Sequence, residues 1–176
     1  MKSMKQHVIA VLLLASAVSG GASVMANEFT VYVVRHAEKA VAESDPPLSE
    51  KGQQRAHTLA QMLQKAELKA IYSTPYQRTQ MTAQPLAESV GLTVQSYRPG
   101  DAEGILEALM ARGENTLIVG HSNTVPALVR GLGGQSENLT EQDYGDLFQL
   151  TFYDCAGEGE EKRCQLLQTR LMVPTN

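Results

Sequence analysis

Four times between Phe29 and Leu132, a short β-branched or apolar run gives way to a segment whose apolar residues recur at helical spacing. That alternation restricts the fold more than any other feature, since successive strand-to-helix units bury their apolar faces only in a largely parallel sheet with helices on both sides. Phe29 to Val34 reads as the first strand, and Ser49 can cap a helix carrying Ala56, Leu59, Ala60, Leu63 and Ala66 on one face. Ala70 to Tyr72 is a second strand. Thr74-Pro75 is expected to supply the cap and first-turn proline of a helix reaching Val90, kinked at Pro85. Leu92 to Ser96 is a third strand, and Asp101 can cap a helix with Ile105, Leu106, Leu109 and Met110 on its apolar face. Thr116 to Val119 is apolar without alternation, as a strand covered on both faces requires. The helix after it buries Val125, Leu128, Val129 and Leu132 and ends at Gly133. Asp146 to Tyr153 and Gln165 to Val173 then add an antiparallel hairpin.

The amino-terminal segment reads differently. Lys2 and Lys5 precede an apolar stretch of eleven residues, Val8 to Val18, and small residues lead into Val24-Met25-Ala26. This is the layout of a secretory signal peptide cut after Ala26, and the glycines at 20 and 21 end the apolar run short of the roughly 18 residues a membrane anchor needs. The expectation is a cleaved signal peptide over 1–26 and one domain over 27–176, periplasmic or extracellular and without an integral membrane anchor. Signal removal leaves 13 Lys and Arg against 19 Asp and Glu, a net charge of −6, which disfavours nucleic acid as a partner. The sequence reading leaves the oligomeric state open. Export also bears on Cys155 and Cys164, which flank the Gly-rich turn of the hairpin. Opposed hairpin positions lie about 5.5 Å apart at Cα, within disulfide reach. A structural bridge is the favoured reading over two free thiols or a metal pair.

The polar residues fall at the carboxyl ends of the strands. Arg35 and His36 follow the first strand, Arg78 the second, Asp101 the third and His121 the fourth. Ligands of open α/β sheets bind in the crevice at those ends, so residues far apart in sequence converge there. Two guanidiniums suit a phosphate, and expected helix starts at Ser122 and near Thr74 would add backbone N–H donors. A neutral histidine among such donors can attack phosphorus, a second can stabilise the transferring oxygens, and a carboxylate can protonate the leaving alkoxide. No HExxH or Cys/His cluster points to a metal, and no cofactor is implied.

Four linked motifs carry a resemblance. Val33-Val34-Arg35-His36-Ala37-Glu38, Pro47-Leu48-Ser49-Glu50-Lys51-Gly52, Tyr72-Ser73-Thr74-Pro75-Tyr76-Gln77-Arg78-Thr79-Gln80-Met81-Thr82-Ala83 and Val119-Gly120-His121-Ser122-Asn123 together resemble the histidine phosphatase superfamily, also called phosphoglycerate mutase-like. The resemblance implies an α/β three-layer sandwich with a mostly parallel central sheet. It also implies a phosphorylated nucleophile at His36 and a phosphate pocket completed by Arg35, Arg78 and His121, with Ser122 adjoining. It places the proton donor after the third strand, where Asp101 and Glu103 both stand; Asp101 is favoured, with helix capping as its competing role. The Asn that mutases carry beyond the nucleophile is absent from Lys39 to Ser44, and Gly100 follows Arg78 by only 22 positions, leaving little to cover the site. An exported member of this size resembles periplasmic phosphatases, including those acting on lipopolysaccharide sugar phosphates. The expected function is metal-independent hydrolysis of small-molecule or glycolipid phosphomonoesters through phosphohistidine. The alternatives are a protein phosphohistidine phosphatase and a non-catalytic phospho-ligand binding module.

Overall fold

A computed structural model describes residues 28–41, 44–157 and 163–175. The expected signal segment over 1–26 lies outside these residues. The chain runs β1 (Phe29–Arg35), α1 (Glu50–Leu63), β2 (Ala70–Ser73), α2 (Gln77–Val90), β3 (Val94–Ser96), α3 (Ala102–Arg112), β4 (Thr116–Gly120), α4 (Val125–Gly131), β5 (Asp146–Ala156) and β6 (Arg163–Met172). The strands form one sheet in the order β3-β2-β4-β1-β5-β6. The first four are mutually parallel and the hairpin adds antiparallel strands at the β1 edge.

Alternation along the strands divides the core between the two faces of the sheet. Val31 and Val33 of β1 pack with Ile105 and Leu109 of α3 and Val125, Leu128 and Val129 of α4. Val34, Leu117 and Val119 pack instead with Leu59 and Leu63 of α1 and Ala83 and Leu86 of α2. The three-layer α/β sandwich anticipated from the sequence is the observed fold. All five residues of β4 are buried, which accounts for its unbroken apolar run. No helix among the described residues is long and apolar enough to cross a membrane.

Several boundaries differ from the sequence reading. Helix α1 is capped by Ser49, whose hydroxyl accepts from the Gly52 amide, but it stops at Leu63 and leaves Ala66 outside. Helix α2 begins at Gln77 rather than at Thr74-Pro75 and runs on through Pro85. Its first amide is capped from elsewhere in the chain: the Asp45 carboxylate accepts from the Gln77 N–H at 3.0 Å. Thr74 is drawn away from capping by its contacts to Thr79 and His121. The fourth helix starts at Val125, not Ser122, because His121 to Thr124 form a turn in which the Thr124 hydroxyl accepts from the His121 amide. The third strand shortens to Val94–Ser96, since the Leu92 amide closes the end of α2 on Ala87.

The cysteines form the expected bridge, Cys155 to Cys164, with Cα atoms 4.0 Å apart across the hairpin. Because Leu147 pairs with Val34 and Phe152 with Phe29, the bridge lies past the amino-terminal end of β1. The carboxyl ends of the parallel strands are at the opposite end of the sheet, on the order of 20 Å away.

Candidate active site

The parallel strands β1 and β4 end side by side, Arg35 pairing with Gly120, and the His36 amide donates to the Gly120 carbonyl at 2.9 Å. His36 and His121 therefore emerge together, with ring centroids 5.4 Å apart and an edge-on arrangement. Gly120 is required by its neighbours, since a Cβ there would stand 2.8 Å from the Thr124 hydroxyl and 3.1 Å from that of Tyr97. Both histidines border an open cleft of about 400 Å³, along with Lys39, Tyr76, Arg78, Pro99, Gly100, Ser122, Asn123, Thr124 and Glu141.

The histidine tautomers follow from their partners. His36 Nδ1 lies 2.8 Å from the Ala37 carbonyl, which can only accept, so Nδ1 carries the proton and Nε2 keeps its lone pair. Arg78 Nη2, which can only donate, lies 3.5 Å from His121 Nδ1, and His121 Nε2 then donates to the Thr74 hydroxyl at 2.8 Å. Burial pushes the His36 pKa down. The Ala37 hydrogen bond works against this, while Arg35, His121 and Arg78 lower the value further, to about 4. Burial followed by Arg78 and Arg35 brings His121 to about 4 as well. Both imidazoles are neutral at pH 7, the state in which His36 Nε2 is nucleophilic.

The arginines are held by different elements. Arg35 is 1 % exposed, with Tyr144 lying 4.0 Å from its guanidinium carbon and Nη1 donating to the Thr140 carbonyl at 2.6 Å. Its Nη2 pairs with Glu141 at 3.1 Å, and Nε has no hydrogen-bond partner among the described residues. Arg78 projects from the first turn of α2, covers the Tyr76 ring at 4.5 Å and pairs with Asp45 at 3.4 Å. A second tier steadies the loop after His36. The Ala37 amide donates to Thr82, and Glu38 takes a two-pronged bond from Arg55 at 2.6 and 2.9 Å. Gly52 lets α1 sit directly against the Glu38 backbone, where any Cβ would overlap the Glu38 carbonyl oxygen. The Ser49-to-Gly52 motif thus braces the loop that follows His36.

Of the residues picked from sequence, Arg35, His36, Arg78 and His121 converge and Ser122 lines the same cleft. Asp101 does not line it. It is exposed, caps α3 by accepting from the Gly104 amide at 3.0 Å, and faces a separate depression beside Arg98 and Ile105. Glu103, exposed in the first turn of α3, is also absent from the cleft lining. Sequence reasoning missed Glu141, Thr140 and Tyr144, which reach Arg35 from the connection between α4 and β5. A polar loop has no periodicity, so nothing local marks which of its residues meets the strand ends. Among the described residues no group of three or more His, Cys, Asp or Glu side chains is disposed to hold a metal ion. The cationic donors that line the cleft, Arg78 and Lys39, suit an oxyanion, and Arg35, buried next to His36, carries an orphaned Nε–H.

Residues 31–98, which carry Arg35, His36 and Arg78, match the sequence profile of the histidine phosphatase superfamily (branch 1). Phosphoserine phosphatase 1 of Hydrogenobacter thermophilus is 48 % identical over 50 residues, covering 28 % of this chain and 24 % of that protein. "Probable phosphoglycerate mutase GpmB" of Yersinia pestis is 38 % identical over 71 residues, 36 % of this chain and 33 % of that protein. The matches thus span a quarter to a third of these curated relatives. The structure of the protein histidine phosphatase SixA complexed with tungstate superposes with a TM-score of 0.61, at 19 % identity, over 79 % of this chain and 95 % of that one. The fold is that of the histidine phosphatases. The chain has homologues in that superfamily, phosphoglycerate mutase-like proteins among them.

Proposed function

We propose that this chain is a phosphatase that hydrolyses phosphomonoesters without a metal, through a phosphohistidine on His36. The observation that carries the reading is the state of His36: a neutral imidazole with Nδ1–H bound to the Ala37 carbonyl and Nε2 free, beside two guanidiniums and a second histidine. A dianionic phosphoryl group held by Arg35 and Arg78 brings phosphorus to Nε2. Its charge opposes that of the arginines and favours protonation of His121 at Nδ1, which can then donate to a phosphoryl oxygen as negative charge develops. Water then hydrolyses the phosphoramidate. A binding module would need the arginines but has no use for a deprotonated Nε2. The phosphatase name of a relative and the fold of a protein histidine phosphatase support the same reading.

The open cleft suits a small phosphorylated substrate or the exposed phosphate of a glycolipid, with the polar Lys39 and Tyr76 at its rim. Export to the periplasm or cell exterior is part of the proposal, supported by the three-part amino-terminal pattern and by a disulfide of the kind that persists in oxidising compartments. The test is a panel of sugar, nucleotide and lipid phosphates plus a phosphohistidine peptide, incubated with the protein in EDTA. Release of phosphate together with acid-labile phosphate on the wild-type protein, both lost in His36→Ala, is the expected outcome. Activity abolished by EDTA, or full turnover by His36→Ala, would overturn it. Phosphate binding without turnover of any panel member would favour the binding module, and turnover confined to the phosphopeptide would favour the protein phosphohistidine phosphatase.

A further inference from the structure

Hydrolysis of an alkyl phosphate needs a proton for the departing oxygen, and the carboxylates favoured from sequence do not reach the cleft. The other described carboxylates near the site are engaged elsewhere. Glu38 is clamped by Arg55, Asp45 caps α2 and pairs with Arg78, Asp101 caps α3, and Asp143 accepts from both the amide and the hydroxyl of Thr140. Glu141 alone among the described carboxylates lines the cleft that holds His36 and His121. Its Oε1 lies 3.1 Å from Arg35 Nη2, its Oε2 lies 3.4 Å from Lys39 Nζ, and its side chain is 66 % exposed at the mouth.

Building on the phosphatase reading, we propose that Glu141 is the general acid of this site, protonating the leaving alkoxide and then taking a proton from the hydrolytic water. Partial burial pushes the Glu141 carboxyl up, while Arg35 and Lys39 more than reverse this, holding it below the usual carboxylate range. A bound phosphoryl dianion changes that balance. It competes for Arg35, the cation at 3.1 Å, and sets two negative charges beside the carboxylate, so substrate binding draws a proton onto Glu141. The His36 Nε2 lone pair then forms the N–P bond as the P–O bond to the ester breaks. The electron pair leaves with the ester oxygen, which takes the Glu141 proton and departs as the alcohol. In the second half, a water oxygen bonds to phosphorus, the N–P pair returns to His36, and one water proton passes to the Glu141 carboxylate, restoring the acid and releasing phosphate.

Glu141→Gln keeps the size of the side chain and removes its titration. The measurement is kcat/KM of wild type, Glu141→Gln and His36→Ala on glycerol phosphate and on p-nitrophenyl phosphate, whose leaving group hardly needs a proton. The expected result is a fall of about 100-fold or more on glycerol phosphate and less than about five-fold on p-nitrophenyl phosphate for Glu141→Gln, with partial recovery in Glu141→Asp. His36→Ala should lose both. An equal fall on both substrates, or no change on either, would overturn the assignment. So would a lower KM on both with kcat untouched, the signature of a carboxylate that merely competes for Arg35. Wild-type protein that turns over neither ester would defeat the phosphatase reading itself, and this assignment with it.

Discussion

Neutral histidines make the site usable well into acid. For a nucleophile whose free-protein pKa is about 4, the acid limb of kcat/KM should fall near pH 4 to 5, rather than near the 6.5 of an unperturbed imidazole. A pH profile on p-nitrophenyl phosphate, corrected for ionisation of the substrate, would check this. A limb at 6.5 would mean that burial does not depress His36. The same shift acts on stability. Between pH 4 and 6.5 the unfolded chain binds protons at His36 and His121 that the folded chain refuses, so stability is full above pH 6.5 and declines as pH falls toward 4. The residues at issue were legible to different degrees. Arg35 ends β1, His36 and His121 directly follow β1 and β4, and Arg78 lies in the first turn of the helix after β2, positions that local pattern can locate. Asp101 was legible as a helix cap, and capping is the role its carboxylate performs.

Among the elements, the brace between α1 and the loop after β1 shows why a motif remote from the chemistry matters. Replacing Gly52 by Ala forces a methyl group into the Glu38 carbonyl, and the backbone that must yield is two residues from His36. Gly52→Ala should destabilise by about 1–3 kcal/mol, as overpacking does, and lower kcat more than nearby surface changes such as Gln53→Ala. Thermal unfolding alongside kinetics would separate the two effects; unchanged kcat and Tm would show that α1 does not brace the loop. The hairpin bridge is the contrasting case. Closing so short a loop is worth about 2–3 kcal/mol, so reduction should lower Tm by about 5–10 °C. Activity at 25 °C should persist, because the bridge lies at the end of the sheet away from the cleft. Element types were readable from apolar spacing, and the starts of α1 and α3 from their caps Ser49 and Asp101, whereas the starts of α2 and α4 were not. Thr74 and Ser122 both look like caps in sequence, but tertiary partners took over: Asp45 caps α2, and the His121–Thr124 turn delays α4.

Across the whole molecule, the proposed mature domain, residues 27–176 with a net charge of −6, would meet a phosphorylated substrate with a small positive site. Arg78 and Lys39 at the cleft wall and Arg35 buried beside it supply that local charge, since burial and the two arginines keep both histidines neutral. Export is testable at this scale. Full-length chain produced in a bacterial host should be recovered outside the cytoplasm with Asn27 as its first residue by mass spectrometry, and intact Met1 in a cytoplasmic fraction would contradict the signal reading. The sequence by itself determined the layer order of strands and helices, the hairpin that pairs the cysteines, and the four residues at the strand ends. These depend on periodicity and on position relative to a strand, both of which are local. Only the tertiary structure decided that Glu141 rather than Asp101 lines the cleft beside His36, that Tyr144 covers Arg35, and that burial and the arginines push both histidine pKa values down, to about 4. Each of those depends on distance and desolvation between segments up to about a hundred residues apart, which no local pattern in the chain records.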